Sequence, residues 1–293
     1  MKLFEIGDGL KSIKVSNNYY SELENEGTIM LYDPKIENVW IRITVLSVKP
    51  KRDSDLNFAY QYVIDNGKKD NRTVKTVNEK SYFSYAEDTE ENGEKFKMFF
   101  FIIGYKCNHI IISICSLLEE AEGEKVKQII NDMERFIPSI EEIATSKMTI
   151  FSPKCADYKE INKRISKILN IMEQQIDDIH EKDESILLIQ KAIDENKYQA
   201  GQTYEWQSLG IALGDYIQYK NHNFHWAIVR DEYGRDLSLQ YKNLSLAIFP
   251  MTMISKRIED KKQVNVIGLI NEVKDTIEKV VENGNYTQLD YND

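Results

Sequence analysis

The chain has 293 residues, 42% hydrophobic and 11% aromatic, with a formal charge of −10. That length suits two domains of ordinary size, and that apolar content excludes wholesale disorder. Lys and Arg number 20 against 25 Asp and Glu over residues 1–150, and 18 against 23 over 151–293. A chain this evenly acidic lacks the clustered cations that wrap nucleic acid or grip an anionic membrane surface, so neither is an expected partner.

The first residues, MKLFEIGDGLK, have no apolar stretch of signal-peptide length and no cleavage pattern. The longest apolar runs, MFFFII (98–103) and IIISICSLL (110–118), are too short to span a bilayer as helices. With GYKCNH between them they read as a buried hairpin. Cys107, Cys115 and Cys155 are scattered and odd in number, which suits a reducing compartment. The expected location is the cytoplasm.

The first half reads mainly as strands. KSIKV (11–15), TIMLY (28–32) and VWIRITVLSV (39–48) partly alternate apolar and polar residues, as half-buried antiparallel strands do. A helix is expected over 53–66, capped by Asp53 or Ser54, with Leu56, Ala59, Tyr60 and Val63 inward and Gly67 as terminator. Strands near 73–86, 95–105 and 109–117 follow, the first two joined by an acidic turn, EDTEENGE (87–94). Residues 124–137 form an amphipathic helix, with Val126, Ile129, Ile130, Met133 and Ile137 on one side and Pro138 beyond. This order predicts an antiparallel sheet covered on one face by two helices. It resembles the small fold of the photosystem II accessory protein (PsbP) and Mog1 families, over roughly residues 1–137. That resemblance implies a binding scaffold.

Residues 139–158 read as a junction, where Ser139 and Glu142 could form a capping box for a short helix. Beyond it, Tyr158, Ile161, Ile165, Ile168, Met172, Ile176 and Ile179 recur at helical spacing. Further helices are expected over 185–195 and 203–219. Strands FHWAIV and LSLQY flank the turn DEYGRD, and LSLAIF runs into Pro250, which opens a helix over MTMISKRIED. A last helix, 266–283, takes Asn265 as cap and Gly284 as terminator. The expected class is therefore α+β, in two domains (1–145 and 150–293), each an antiparallel sheet packed by helices.

Three separated motifs in the second half, LGIALGDYI, W-x-IV-x-DEYGRDLSLQY and FPMTMISKRIED, resemble the bacterial family catalogued as domain of unknown function 3806. The first half is similar to domain of unknown function 3805. The resemblance implies a bacterial source and an architecture, and no activity.

Each conspicuous residue has a plain reading beside a functional one. Gly210 and Gly214 suit close packing of a helix more than a ligand approaching bare backbone. Trp206 and Trp226 suit the core. DEYGRD gives Asp231, Glu232, Tyr233, Arg235 and Asp236 around Gly234. It reads as a hairpin turn with Gly234 at positive φ and Arg235 paired to a neighbouring carboxylate, or as a polar patch aimed at a partner. Lys256 and Arg257 form a second compact charged pair. His222 and His225 are three apart at a loop-to-strand transition without a nearby Cys, so no metal is expected. No G-x-S-x-G, HExxH or phosphate-binding glycine loop occurs, so no cofactor or catalytic residue is assigned.

The expected function is a non-catalytic module that binds another protein, a basic one, with an immunity-type protein that neutralises a toxin as its concrete version. The alternative is an enzyme for a small anionic substrate held by Arg235, Lys256 and Arg257, with Asp231 or Asp236 as base. That alternative requires those side chains to converge on one pocket. A third reading, an assembly subunit, requires an exposed apolar face on the helix from Tyr158 onward.

Overall fold

The computed structural model describes all residues except 8, 26, 48–56, 145–146, 172–183, 200 and 292–293. The chain divides into two compact units, Met1–Ile143 and Ala144–Asp293. Both are α+β, with antiparallel sheets packed by helices.

In the first unit, β1 (Lys2–Ile6) and β2 (Lys11–Val15) pair, and β10 (Glu141–Glu142) adds to β2. A seven-stranded antiparallel sheet takes the rest, in the order β3-β4-β5-β9-β8-β7-β6. Its strands are β3 (Tyr20–Asn25), β4 (Thr28–Tyr32), β5 (Val39–Ser47), β6 (Lys75–Val77), β7 (Lys80–Glu91), β8 (Glu94–Tyr105) and β9 (Asn108–Leu117). Period-two burial is clean along β5 and β9, so Ile41, Ile43, Ile110, Ile112 and Ile114 share one buried face. Two helices, α1 (Phe58–Lys69) and α2 (Glu124–Phe136), complete the unit.

The helices lie on opposite faces of the sheet, not on one. Tyr82 on β7 donates to Glu134 of α2 at 3.1 Å, whereas its neighbour Ser81 donates to the carbonyl of Tyr60 in α1 at 2.6 Å. Adjacent strand residues point to opposite faces, so each helix owns one face. Gly104 on β8 marks the α1 side, where any Cβ would run into the Ala59 carbonyl.

Three other expectations are corrected. Helix α1 starts at Phe58 after Asn57, and Gly67 lies within it, packed against Val74 and Phe83, instead of ending it; residues 53–56 lie outside the described residues. The acidic segment 87–94 is mostly strand, because Asn92 (φ 54°) and Gly93 (φ 85°) make the reversal in two residues, the left-handed pair that a tight hairpin needs. Glu142 belongs to β10, not to a capped helix, and the Ser139 hydroxyl bonds the backbone of Lys14.

In the second unit, β11 (Thr149–Phe151), β12 (Phe224–Asp231), β13 (Gly234–Tyr241) and β14 (Ala247–Ile248) form an antiparallel sheet in that order. Helices α3 (Cys155–Ile171), α4 (Glu184–Asp194), α5 (Thr203–Lys220), α6 (Pro250–Glu259) and α7 (Val266–Glu282) surround it. On α3, Ile161, Ile165 and Ile168 are buried and Tyr158 is exposed; Met172, Ile176 and Ile179 lie outside the described residues. Helix α5 is buried nearly all round, the signature of a central core helix. Trp206 and Trp226 are both core residues. The expected caps of α7 are present: Asn265 accepts from the Gly268 amide at 2.9 Å, and Gly284 stands at φ 66°.

Candidate functional site

The β12–β13 hairpin closes with Asp231 opposite Gly234, leaving Glu232 and Tyr233 as the loop. Asp231 Oδ1 accepts from the Tyr233 amide at 2.8 Å, an Asx-type brace. Gly234 takes φ 135°, outside the range that side chains favour. One residue on, Arg235 makes two near-parallel bonds to Asp157 of α3, at 2.9 and 2.8 Å. Paired forks of this kind fix orientation as well as charge. The expected carboxylate partner of Arg235 thus comes from a distant helix and not from the turn. Tyr233 projects from this brace at 87% exposure, the most exposed of the large hydrophobic side chains among the described residues.

The signature glycines have a packing role. Gly210 faces the backbone of Pro250, and Gly214 faces the Pro250 ring at 2.7 Å and the Trp226 ring at 2.9 Å, measured from where a Cβ would sit. The three sequence motifs of the second half therefore meet at one contact: LGIALG on α5, Trp226 on β12 and FP at the start of α6.

Lys256 and Arg257 lie in the last turn of α6, where cations complement the carbonyl end of a helix. Arg257 donates to the Met253 carbonyl at 2.9 Å and to Glu272 of α7 at 3.1 Å. Both residues line an open cavity of about 560 Å³ between α6 and α7, with Phe249, Met253 and Leu269. That lining contains none of Asp231, Arg235 or Asp236.

A second cavity, of about 550 Å³, opens on the other side of α7. Its walls are Ile217, Phe224, Tyr241, Ile270, Val273 and Ile277, and its polar lining is Lys220, Asn221, Lys274 and Glu278. Val273 and Ile277 face both cavities. Ile270, Val273 and Ile277 recur at helical spacing along α7, and no cavity was expected there. The signal for it is an apolar stripe wider than the part of α7 that is buried, since only Val266, Leu269 and Ile277 are buried.

His225 stands in β12 with its Nε2 3.1 Å from Gln240 Oε1, while His222 is exposed before the strand. Burial holds the His225 imidazole below its usual pKa, against the hydrogen bond it makes to Gln240. Among the described residues no group of three metal-ligating side chains comes together.

The first unit has a polar cavity of about 650 Å³ lined by Tyr60, Glu79, Lys106, Cys107 and Glu142. Glu142 accepts from Lys106 at 2.5 Å and from Lys11 at 2.8 Å. Those two bonds hold its carboxyl below the usual range. The charges here pair with one another, which suits a structural clasp between β10, β2 and the β8–β9 turn.

The fold and these surfaces define a two-unit α+β protein. Residues 186–269 match the family described as Domain of unknown function (DUF3806). No curated protein matches the chain. A crystal structure of a protein from Bacteroides thetaiotaomicron VPI-5482 matches over 94% of this chain and 98% of that one, at TM-score 0.71 and 16% identity; the two share a fold. LpqN of Mycobacterium tuberculosis, described as involved in cell envelope biogenesis, matches over 45% of this chain and 86% of its own, at TM-score 0.28 and 14% identity. Cyanobacterial PsbP (CyanoP) from Synechocystis sp. PCC 6803 matches over 48% and 93%, at TM-score 0.24 and 10% identity. No helix among the described residues is long and apolar enough to cross a membrane.

Proposed function

We propose that this is a non-catalytic binding module that docks on a partner protein of basic character through the tip of the β12–β13 hairpin. The observation that carries the reading is Tyr233, an aromatic 87% exposed on a turn already fixed by Asp231, Gly234 and the Arg235–Asp157 pair. Aromatic anchors dominate interface energies, and a rigid anchor loses little freedom on binding. Asp231, Glu232 and Asp236 surround it, while Arg235 is neutralised by Asp157. The local field is therefore acidic, like the chain as a whole at −10, and favours approach of a cationic surface.

The enzyme alternative needs Arg235, Lys256, Arg257 and an Asp around one pocket. The separation of the hairpin tip from the α6–α7 cavity lining weighs against it. An immunity-type protein that caps a basic toxin is the specific form of the binding reading.

The test is affinity purification from the native host at low salt, comparing the wild-type chain with Tyr233→Ala and Asp236→Lys. The reading expects a basic protein retained by the wild type, released by salt and lost from both variants. Retention of the same proteins by all three chains would overturn it.

A further inference from the structure

We propose that the second unit binds a single-chain amphiphile with an acidic head, of the fatty-acid type. Its chain would lie in the apolar cleft beside α7, and its carboxylate at the rim formed by Lys220 and Lys274. The proposal is independent of the hairpin tip.

Three observations carry it. The first is shape and lining: the cleft of about 550 Å³ is walled by Ile217, Phe224, Tyr241, Ile270, Val273 and Ile277. Its volume falls within the range of roughly 300–1,000 Å³ typical of small-molecule sites, which are mostly apolar with a few placed polar groups. The second is continuity. Val273 and Ile277 also line the cavity on the far side of α7, so the apolar surface runs along the underside of the helix, as a linear chain requires.

The third is charge. Residues 151–293 carry 18 Lys and Arg against 23 Asp and Glu, yet the two cavity linings reverse that balance. They contain Lys220, Lys274, Lys256, Arg257 and Lys262 against Glu278, Asp260 and Glu272. At the cleft itself Lys220 and Lys274 stand against Glu278 alone, which lies 3.9 Å from Lys274, so its rim keeps a small positive excess that, on an acidic unit, complements an anionic head on an apolar tail. Lys220 also lies near the Tyr216 and Tyr219 rings, at 5.6 and 5.9 Å, which holds its ammonium close to the cleft mouth.

The experiment is calorimetric titration of the full-length protein with three probes sharing one chain length: laurate, dodecyltrimethylammonium and dodecyl maltoside, each below its micelle concentration. The expected result is saturable uptake of one laurate, with the cationic probe at least tenfold weaker and the neutral probe between them. Lys220→Glu/Lys274→Glu, which alters exposed side chains only, should weaken laurate at least tenfold and reverse the preference between charged heads. Val273→Trp, which fills the cleft, should abolish laurate uptake while circular dichroism stays unchanged. Absence of saturable laurate uptake by the wild type overturns the proposal. So does equal binding of the charged probes that survives the charge reversal. If Val273→Trp does not fold, the charge-reversal variant decides alone.

Discussion

Gly210 lies against the Pro250 carbonyl so closely that a Cβ there would overlap the oxygen. The residues are 40 positions apart, and their contact joins the buried helix α5 to the start of α6. Pro250 is suited to that place, because the first residue of a helix needs no amide partner.

Adding a methyl at Gly210 should therefore be costly. The obstacle is main chain, the Pro250 carbonyl and the Met251 Cα, which cannot rotate away. At Gly214 the obstacles are ring atoms of Pro250 and Trp226, which can shift slightly. Gly210→Ala is expected to destabilise by about 3 kcal/mol or more and Gly214→Ala by about 1–3 kcal/mol. Gly201→Ala, with open space around it, should stay within about 0.5 kcal/mol of wild type. Urea denaturation of the three variants checks the order.

The Glu142 clasp gives a second prediction. Lys11 is 3% exposed and depends on Glu142 for its ion pair. Glu142→Gln leaves that ammonium buried beside a neutral amide, and should cost about 1–3 kcal/mol. Because the Glu142 carboxyl is held below its ordinary value of 4.5, its contribution is full above that value. It is lost as pH falls through the lower, folded-state value. Acid titration of unfolding should show less loss for the variant than for wild type below pH 4.5.

Histidine supplies the pH dependence nearer neutrality. Burial lowers the pKa of both His225 and His109 from 6.5. The folded protein therefore resists a proton that the unfolded chain accepts. Stability from the neutral rings is full above 6.5 and declines as pH falls below it toward the folded-state values. Differential scanning calorimetry at about pH 7.5 and 5.5 should show a lower transition at the acid pH. His109→Asn/His225→Asn should flatten that difference, and an unchanged slope would count against the assignment.

The tip and the core are expected to separate cleanly. Tyr233→Ala removes an exposed ring and no packing, so its stability should remain within about 0.5 kcal/mol of wild type. Asp157→Ala removes the brace of Arg235, and should cost about 1 kcal/mol while loosening the tip. Thermal melts of the two variants, read beside partner retention, distinguish a binding residue from a structural one.

Much of this architecture was legible in the residues. The 2–15, 28–32 and 39–47 region shows why and where that stops. KSIKV and TIMLY alternate only in part and are strands at the expected positions, while Lys2–Ile6, with four buried residues in a row, offers no such pattern. The sidedness of α1 was hidden because it depends on β7 register, where Ser81 and Tyr82 serve different helices. The partner of Arg235 was hidden for a related reason: Asp157 is 78 residues away, and a turn motif says nothing about what packs beside it. The clefts beside α7 were partly legible in its surplus of apolar positions. Their charge reversal needed Lys220, Lys256 and Lys274 to be brought to one helix by the fold.

The most direct test of the hairpin-tip reading is hydrogen–deuterium exchange of the purified protein with and without the partner recovered from the host. Slowed exchange centred on residues 230–236, lost in Tyr233→Ala, is the predicted result. Protection elsewhere, with the Asp231–Asp236 turn exchanging at its free rate, would contradict it.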